Sequence, residues 1–465
     1  VLTITHGAED PGTPLILPGL PAPYAAQAAA AGYTGAPGTV CDILGGPRRV
    51  LLAGAGEGRL ALEAAGACAA AHAGRLPAVT ADVRGLAARH AASFLEGMCL
   101  RAWRYDRLRT RAEADAPRLA AVHALTGDPG FPKAWARRRA AVEGTLFARE
   151  LVTEPSNTLT PQGFIDRLSR LRDLGVAIEV LHGQALVEAG LTGLLAVGGG
   201  SAHPPALAVL RWPGSIGTRP VILAGKGITF DTGGISIKPA DGMWEMRADM
   251  AGAAACAGAM LTLARRQSPA PVIAVLALAE NTTSGSAYRP SDILRHADGT
   301  TIEVVDTDAE GRLVLMDALG WAVRQKPEAV IDLATLTGSV VTALGHDMAG
   351  LFSNDDGLAA MVAAAGAKAG EPVWRLPIDA SHRAALESDI ADLRHCAPER
   401  GQPDASQAAA FLRHFVGDTP WVHLDIAGVE SRAEATDRHA AGATGFGVRL
   451  LDRLVADRFE DPHRA

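Results

Sequence analysis

PVILAGKGITFDTGGISIKPADGMWEMRAD, residues 220–249, joins an apolar run to the densest polar grouping in the chain. The run PVILA has the length and β-branched character of a buried strand. The residues after it do not read as core: Lys226, Asp231, Lys238, Asp241 and Asp249 follow within a window of 25 residues. In open α/β sheets, ligands bind outside the carboxyl ends of parallel strands, so position alone makes this window a candidate site. The GKG triplet is not a phosphate loop, because no G-x-x-x-x-G-K-[ST] pattern surrounds it.

Lysine occurs five times in the chain, at 133, 226, 238, 326 and 368, among 44 basic residues. Two of the five stand in this one window. Arginine is effectively always protonated, whereas a lysine amine can lose its proton when desolvated or set beside a metal. Lys226 and Lys238 are therefore candidate functional groups. Asp241-Gly242 reads as a turn.

Working outward, strand-like runs recur at 206–210, 220–224, 272–278, 302–305, 329–333 and 422–426, with helical stretches between most of them. This alternation predicts a mixed, mostly parallel central sheet flanked by helices. Toward the N-terminus, 50–53 reads as a strand and 59–74 as a helix. The intervening GAGEG (54–58) misses the dinucleotide fingerprint, since its third glycine falls one place early; it reads as a tight turn. KAWARRRAAVEGTLFARELV (133–152) has helical periodicity and is closed by EPSNTLTP. The expected organisation is α/β throughout: a smaller N-terminal α/β domain (1–130), a long connecting helix (131–152) and a larger C-terminal α/β catalytic domain (153–465).

A second stretch, IEVVDTDAEGRLVLMDAL (302–319), begins and ends as core but carries Asp306, Asp308, Glu310 and Arg312 at every second position. On an extended segment Asp308 and Glu310 point the same way. Carboxylates so placed repel one another unless they are neutralised. Two divalent cations would do so, and suit a hydrolytic site. Spacing alone leaves open a salt-bridged loop neutralised by Arg312.

At this point the chain resembles the leucyl aminopeptidase family of two-metal cytosolic exopeptidases. The family signature NTDAEGRL stands here as DTDAEGRL (306–313). Further similar motifs are GKGITFDTGGISIKP, MRADMAGAA, SGSAYRPSD, DLATLTGS, AGLFSND, HLDIAG and ATGFGVRLL. They cover the last three hundred residues almost continuously. The resemblance implies one metal held by Lys226, Asp231, Asp249 and Glu310, and another held by Asp231, Asp308 and Glu310. It implies zinc or manganese, with magnesium possible at one site. Lys238 would stabilise the oxyanion, and Arg312 would hold a bicarbonate acting as general base. Met246, Thr335, Leu336 and Gly338 would line the substrate pocket. Substrates would be small peptides cleaved at the N-terminal bond, releasing residues such as leucine, and the assembly a homo-hexamer. Three positions depart from the family: Asp306 for Asn, Ser291 for Gly and Met316 for a small residue. The last two read as packing variation. Asp306 adds a fifth acid, expected either to tighten metal retention or to favour its own protonation.

Net charge is −7 and no long basic run occurs, which argues against nucleic acid as the partner. A local cluster of arginines lies between Arg101 and Arg111. No 18-residue apolar run suggests a membrane span, and no signal peptide is expected from the first twenty residues. Five scattered cysteines form no zinc spacing and read as buried thiols of a cytoplasmic protein. A two-metal phosphoesterase could use the same carboxylates, but a lysine ligand suits it poorly. A catalytically dead relative is not expected, because every ligand and both basic catalytic residues are present.

Overall fold

The computed structural model describes residues 2–7, 12–44, 46–110, 118–399, 402–436 and 440–461. Arg111, at the end of the arginine cluster, lies outside them. The chain divides into two compact units, Val1–Val142 with Arg432–Gly442, and Glu143–Ser431 with Ala443–Ala465. The division falls inside the helix Phe131–Thr153, which covers the long helical pattern of the sequence.

In the first unit a six-stranded sheet runs in the order Thr3–His6, Ala121–Leu125, Ala78–Asp82, Leu15–Pro18, Val50–Ala53 and Val40–Ile43. Only the last pairing is antiparallel. Helices Arg59–His72 and Ala88–Ala102 pack closely, because a Cβ on Gly66 would lie 1.9 Å from the Phe94 carbonyl oxygen. GAGEG is the strand-to-helix turn between Val50–Ala53 and Arg59–His72.

The second unit is built on eight strands in the order Val373–Arg375, Ala349–Ser353, Trp421–Asp425, Ala329–Ala334, Val221–Asp231, Val272–Asn281, Ala206–Trp212 and Ala177–His182. The four in the middle are mutually parallel. Alternation along Val221–Asp231 sorts its side chains between two cores. Val221 and Leu223 pack with helix Ala251–Arg265, while Ile222, Ala224 and Ile228 pack with helix Glu310–Val323. Chain order then fixes the site. From Val221–Asp231 the chain passes through Ala251–Arg265 to the neighbour on one side, and later through Glu310–Val323 to the neighbour on the other. The carboxyl end of Val221–Asp231 is thus the switch point where a crevice opens. No helix among the described residues is long and apolar enough to cross a membrane, and all five cysteines are buried and unbridged.

Three local readings change. The run at 302–305 is not part of the main sheet. It forms the short strand Thr301–Glu303, paired with Ile293–Arg295 and Leu393–Arg394 in a separate three-stranded sheet. Asp308 and Glu310 consequently do not share an extended strand: Glu310 is the first residue of helix Glu310–Val323. Finally, Ser291 departs from glycine in a way that concerns the backbone, because its φ is +76°, a left-handed conformation that a Cβ disfavours. Met316, by contrast, is fully buried in the core.

Asp317, buried in the same helix, accepts a hydrogen bond from the Leu194 backbone N–H at 2.7 Å. Burial pushes its carboxyl up to about 8, against the Leu194 and Gly193 amides, which favour the anion. The unfolded carboxyl titrates near roughly 3.9. Between these values the native state binds the extra proton, so stability falls as pH rises through this window. Asp317→Asn should flatten that decline in denaturant titrations run from about pH 4 to pH 8. Ser291→Gly relieves the left-handed strain but frees the unfolded chain. It should leave stability unchanged or raise it by about 1 kcal/mol; a clear loss would show that the serine side chain is needed.

Candidate metal centre

Lys226 and Asp231 are five residues apart, so on a regular strand they would face opposite sides of the sheet. They face one site because the strand carries a bulge. Against Val272–Asn281, Ile228 pairs with Ala279 but Asp231 pairs with Asn281, so three residues on one strand match two on the other. The extra residue restores Asp231 to the Lys226 side.

Four elements converge there. The Lys226 Nζ donates to Asp249 Oδ1 and Glu310 Oε1, each at 2.8 Å, and to the Thr335 carbonyl at 2.8 Å. Lys238 bonds Asp231 Oδ2 at 2.8 Å and also Asp308 Oδ1. Carboxylate oxygens of Asp231, Asp308 and Glu310 lie within 4.8 Å of one another. Lys226 reaches this position because residue 311 has no side chain: a Cβ on Gly311 would sit 2.7 Å from Lys226 Nζ and Cε.

Groups not singled out from the sequence hold this arrangement. Asn281 donates its amide to Asp231 Oδ1 at 2.8 Å and to the Thr307 carbonyl at 3.0 Å. Gly233 N–H caps the same Asp231 oxygen. Buried Thr307 donates to the Gly233 carbonyl and accepts from Ser236 N–H. Tyr288 donates to the Thr307 carbonyl at 2.8 Å. Asp306, the fifth acid, accepts from the Asp308 backbone N–H at 2.9 Å and so shapes the turn that presents Asp308. An asparagine carbonyl offers the same acceptor, so the geometry uses the oxygen and not the charge. One signal for Asn281 was available, an amide at the end of a mostly apolar strand.

Of the positions expected to line a substrate pocket, Thr335 and Leu336 are half-buried and Gly338 is exposed, on the segment that follows Ala329–Ala334. Thr335 donates its hydroxyl to Asp249 Oδ1 at 2.7 Å, so this loop is tied to the centre at both Lys226 and Asp249. Asp425, at the end of the next strand, accepts from Leu336 N–H and the Thr337 hydroxyl. A Cβ on Gly338 would meet open space. Met246 is half-buried on the short helix Met243–Ala248, one turn before Asp249. Arg312, two residues after Glu310 and 2% exposed, donates to the His395 carbonyl at 3.1 Å and to Asp404 Oδ1 at 2.7 Å.

The electrostatics show a surplus of negative charge. Burial, with Asp231 beside it, pushes the Asp308 carboxyl up to about 7 despite Lys238. Burial also raises Glu310, with Asp231 adding to the effect, and holds Asp249 well above the carboxylate range despite Lys226. For Lys226 and Lys238, burial favours the neutral amine, but the surrounding carboxylates outweigh it and hold both as ammonium ions. Asp249 Oδ2 and Glu310 Oε2 are buried with no protein partner. Buried oxygens without donors, on acids that resist ionising together, are the donor set that divalent cations satisfy. A cation taken by the Lys226 amine must displace its proton, so affinity for that ion rises with pH.

The doubly wound sheet and this carboxylate-and-lysine centre define an α/β metalloenzyme. Residues 146–452 match the cytosol aminopeptidase family, catalytic domain, and the chain belongs to that family. A probable cytosol aminopeptidase of Methylorubrum populi is 46% identical over 394 residues, 83% of this chain and 79% of the relative. One from Brucella melitensis biotype 1 is 43% identical over 447 residues, 92% of each. Among solved structures, the bottromycin maturation enzyme BotP in complex with Mn superposes with a TM-score of 0.88 at 37% identity, covering 96% of this chain and 99% of that one.

Gly311→Ala drives a methyl into an amine pinned by three partners. It should weaken divalent-metal binding by at least about tenfold in calorimetric titration while the fold persists. Unaltered affinity would show that the amine is not a ligand.

Proposed function

We propose that the chain is a metal-dependent aminopeptidase that hydrolyses the N-terminal bond of short peptides, releasing residues such as leucine. The observation that carries this reading is the convergence of Asp231, Asp308 and Glu310 with the buried amine of Lys226. One cation would take Lys226, Asp231, Asp249 and Glu310; the other would take Asp231, Asp308 and Glu310, with Asp231 and Glu310 shared. Such a pair activates water for attack and neutralises the charge that develops on the substrate. Zinc or manganese fits the oxygen-rich set, with magnesium possible at one site. Manganese is favoured by the likeness to BotP, whose structure is described as a complex with Mn.

The remaining work falls to the chain. Lys238, held as an ammonium, stabilises the oxyanion of the attacked carbonyl. The Thr335–Leu336–Gly338 loop orients the peptide through its main chain, with Met246 facing the first side chain. The open space beside Gly338 leaves room for that side chain. Arg312 presents an oxyanion to the centre, bicarbonate on the family resemblance. A cytoplasmic homo-hexamer is the proposed assembly, checked by light scattering against the 48.1 kDa chain mass.

Aminoacyl-amide hydrolysis should vanish on full chelation and return with Zn²⁺ or Mn²⁺. Activity that survives complete metal removal would sink the two-cation reading. Lys226→Arg keeps the charge but cannot furnish a neutral amine. It should lower kcat at least about a hundredfold, and activity near that of the parent would remove Lys226 from the ligand set.

A further inference from the structure

The turn that presents Asp308 is held from two sides. Within it, the Ala309 N–H donates to the Asp306 carbonyl at 3.1 Å. Thr307, second in the turn, is fixed by Gly233, Ser236, Asn281 and Tyr288. The other side rests on His395, which is fully buried and follows the short strand Leu393–Arg394 of the separate three-stranded sheet. Its backbone and ring polar groups all bond the segment from Glu303 to Arg312. The His395 N–H donates to the Glu303 carbonyl at 3.1 Å. Ring Nδ1 accepts from Val305 N–H at 3.1 Å, so Nε2 carries the proton and donates to the Asp306 carbonyl at 2.8 Å. The His395 carbonyl accepts from Arg312 Nη1 at 3.1 Å. Burial, with Arg312 beside it, pushes the ring down to about 4, which keeps it neutral and this pattern intact.

The two halves of the metal centre do not share this support. Lys226, Asp249 and Thr335 bond one another, and among the described residues none of them bonds His395 or the turn. Glu310 begins a helix that is buried from Glu310 through Ala322, so the core sets its place. Asp308 has no such element behind it. Its position depends on the turn that Asp306 closes and on the bond to Lys238. The cation assigned above to Asp231, Asp308 and Glu310 therefore depends on the turn, whereas three of the four ligands assigned to the other cation lie outside this segment.

We propose that His395 is a positioning residue for the Asp308 half of the centre: it bonds no metal ligand, yet through the Asp306 carbonyl it sets the affinity of the ion that Asp308 helps to hold. This rests on the two-cation reading above. The rigid ring offers an acceptor to Val305 N–H and a donor to the Asp306 carbonyl in one plane, so the turn cannot roll or open without stranding a buried polar group. Releasing the Asp306 carbonyl lets the turn carry Asp308 away from Asp231 and Glu310. Lys226 and Asp249 stay where Thr335 and the sheet hold them. The ring of His395 thus serves the metal, while its backbone carbonyl serves Arg312. A side-chain replacement tests the first role and spares the second.

The experiment is Mn²⁺ binding to the full chain, followed by titration calorimetry and by electron paramagnetic resonance, which separates a spin-coupled Mn²⁺ pair from an isolated ion. The parent should take two ions and give the coupled signal. His395→Phe keeps a ring in place and removes both ring hydrogen bonds. It should weaken one ion by about 10- to 100-fold, leave the other within about threefold, and replace the coupled signal by that of an isolated ion at limiting metal. His395→Gln, whose amide can still donate to the Asp306 carbonyl, should return the weakened ion to within about threefold of the parent. Adding Gly311→Ala to His395→Phe should then weaken the retained ion too, which identifies it as the one on Lys226; if it does not, the wrong ion was lost and the proposal falls. Equal weakening of both ions, no weakening of either, or a glutamine variant no better than phenylalanine would overturn the proposal and leave the two-cation reading intact. A parent that binds fewer than two ions would overturn that reading, and this one with it. If His395→Phe fails to fold, His395→Leu is measured in its place; loss of the fold in both would make His395 a core residue and overturn the proposal.

Discussion

Four carboxylates crowded into one site, all but Asp308 buried, are the constraint on which the rest of this structure depends. Two unit charges 4 Å apart interact by about 4 kcal/mol at the effective dielectric of a protein site, and oxygens of Asp231, Asp308 and Glu310 lie within 4.8 Å of one another. Lys226 and Lys238 offset part of that repulsion by direct bonds. They do not cancel it: burial, with the Asp231 charge beside it, drives Asp308 up to about 7. A fold that maintains such a cluster is held together elsewhere, by the two apolar layers on either face of the eight-stranded sheet.

The same topology that stabilises the sheet also delivers the charges. Helices Ala251–Arg265 and Glu310–Val323 pack on opposite faces, and the first has Asp249 two residues before its start while the second begins at Glu310. The close approach depends on missing side chains: a Cβ on Gly252 would lie 2.0 Å from the Leu333 carbonyl oxygen, and Gly311 does the same service for Lys226. Because Thr335 bonds both Lys226 and Asp249, the loop that would hold substrate is mechanically part of the centre. Asp425 anchors the other side of that loop through Leu336 and Thr337.

Much of this was legible in the sequence. The apolar run before GKG marked the central strand, and two lysines in an arginine-using chain marked the site. What the residues alone could not give was the shape of 302–310. Period-two spacing suggested an extended strand, whereas the chain leaves the strand at Glu303 and starts a helix at Glu310. The side chains still converge, for a different reason: the Asp306 turn aims Asp308, and the first helical turn aims Glu310. Ser291 shows a second limit, since a substitution for glycine says nothing by itself about φ. Asp404 carried no signal at all, lying 92 residues from Arg312, which it bonds.

The bulge in Val221–Asp231 has a consequence for how this chain can vary. Whether Lys226 and Asp231 meet depends on an even or odd count of residues between Ile228 and Asp231, not on which residues those are. Substitutions at Thr229 or Phe230 leave the count intact. Losing or gaining one residue there turns Asp231 to the opposite face of the sheet, as a reading-frame slip garbles everything downstream of it. The segment is therefore permissive in composition and rigid in length, and its history should record point changes but no single-residue insertions or deletions.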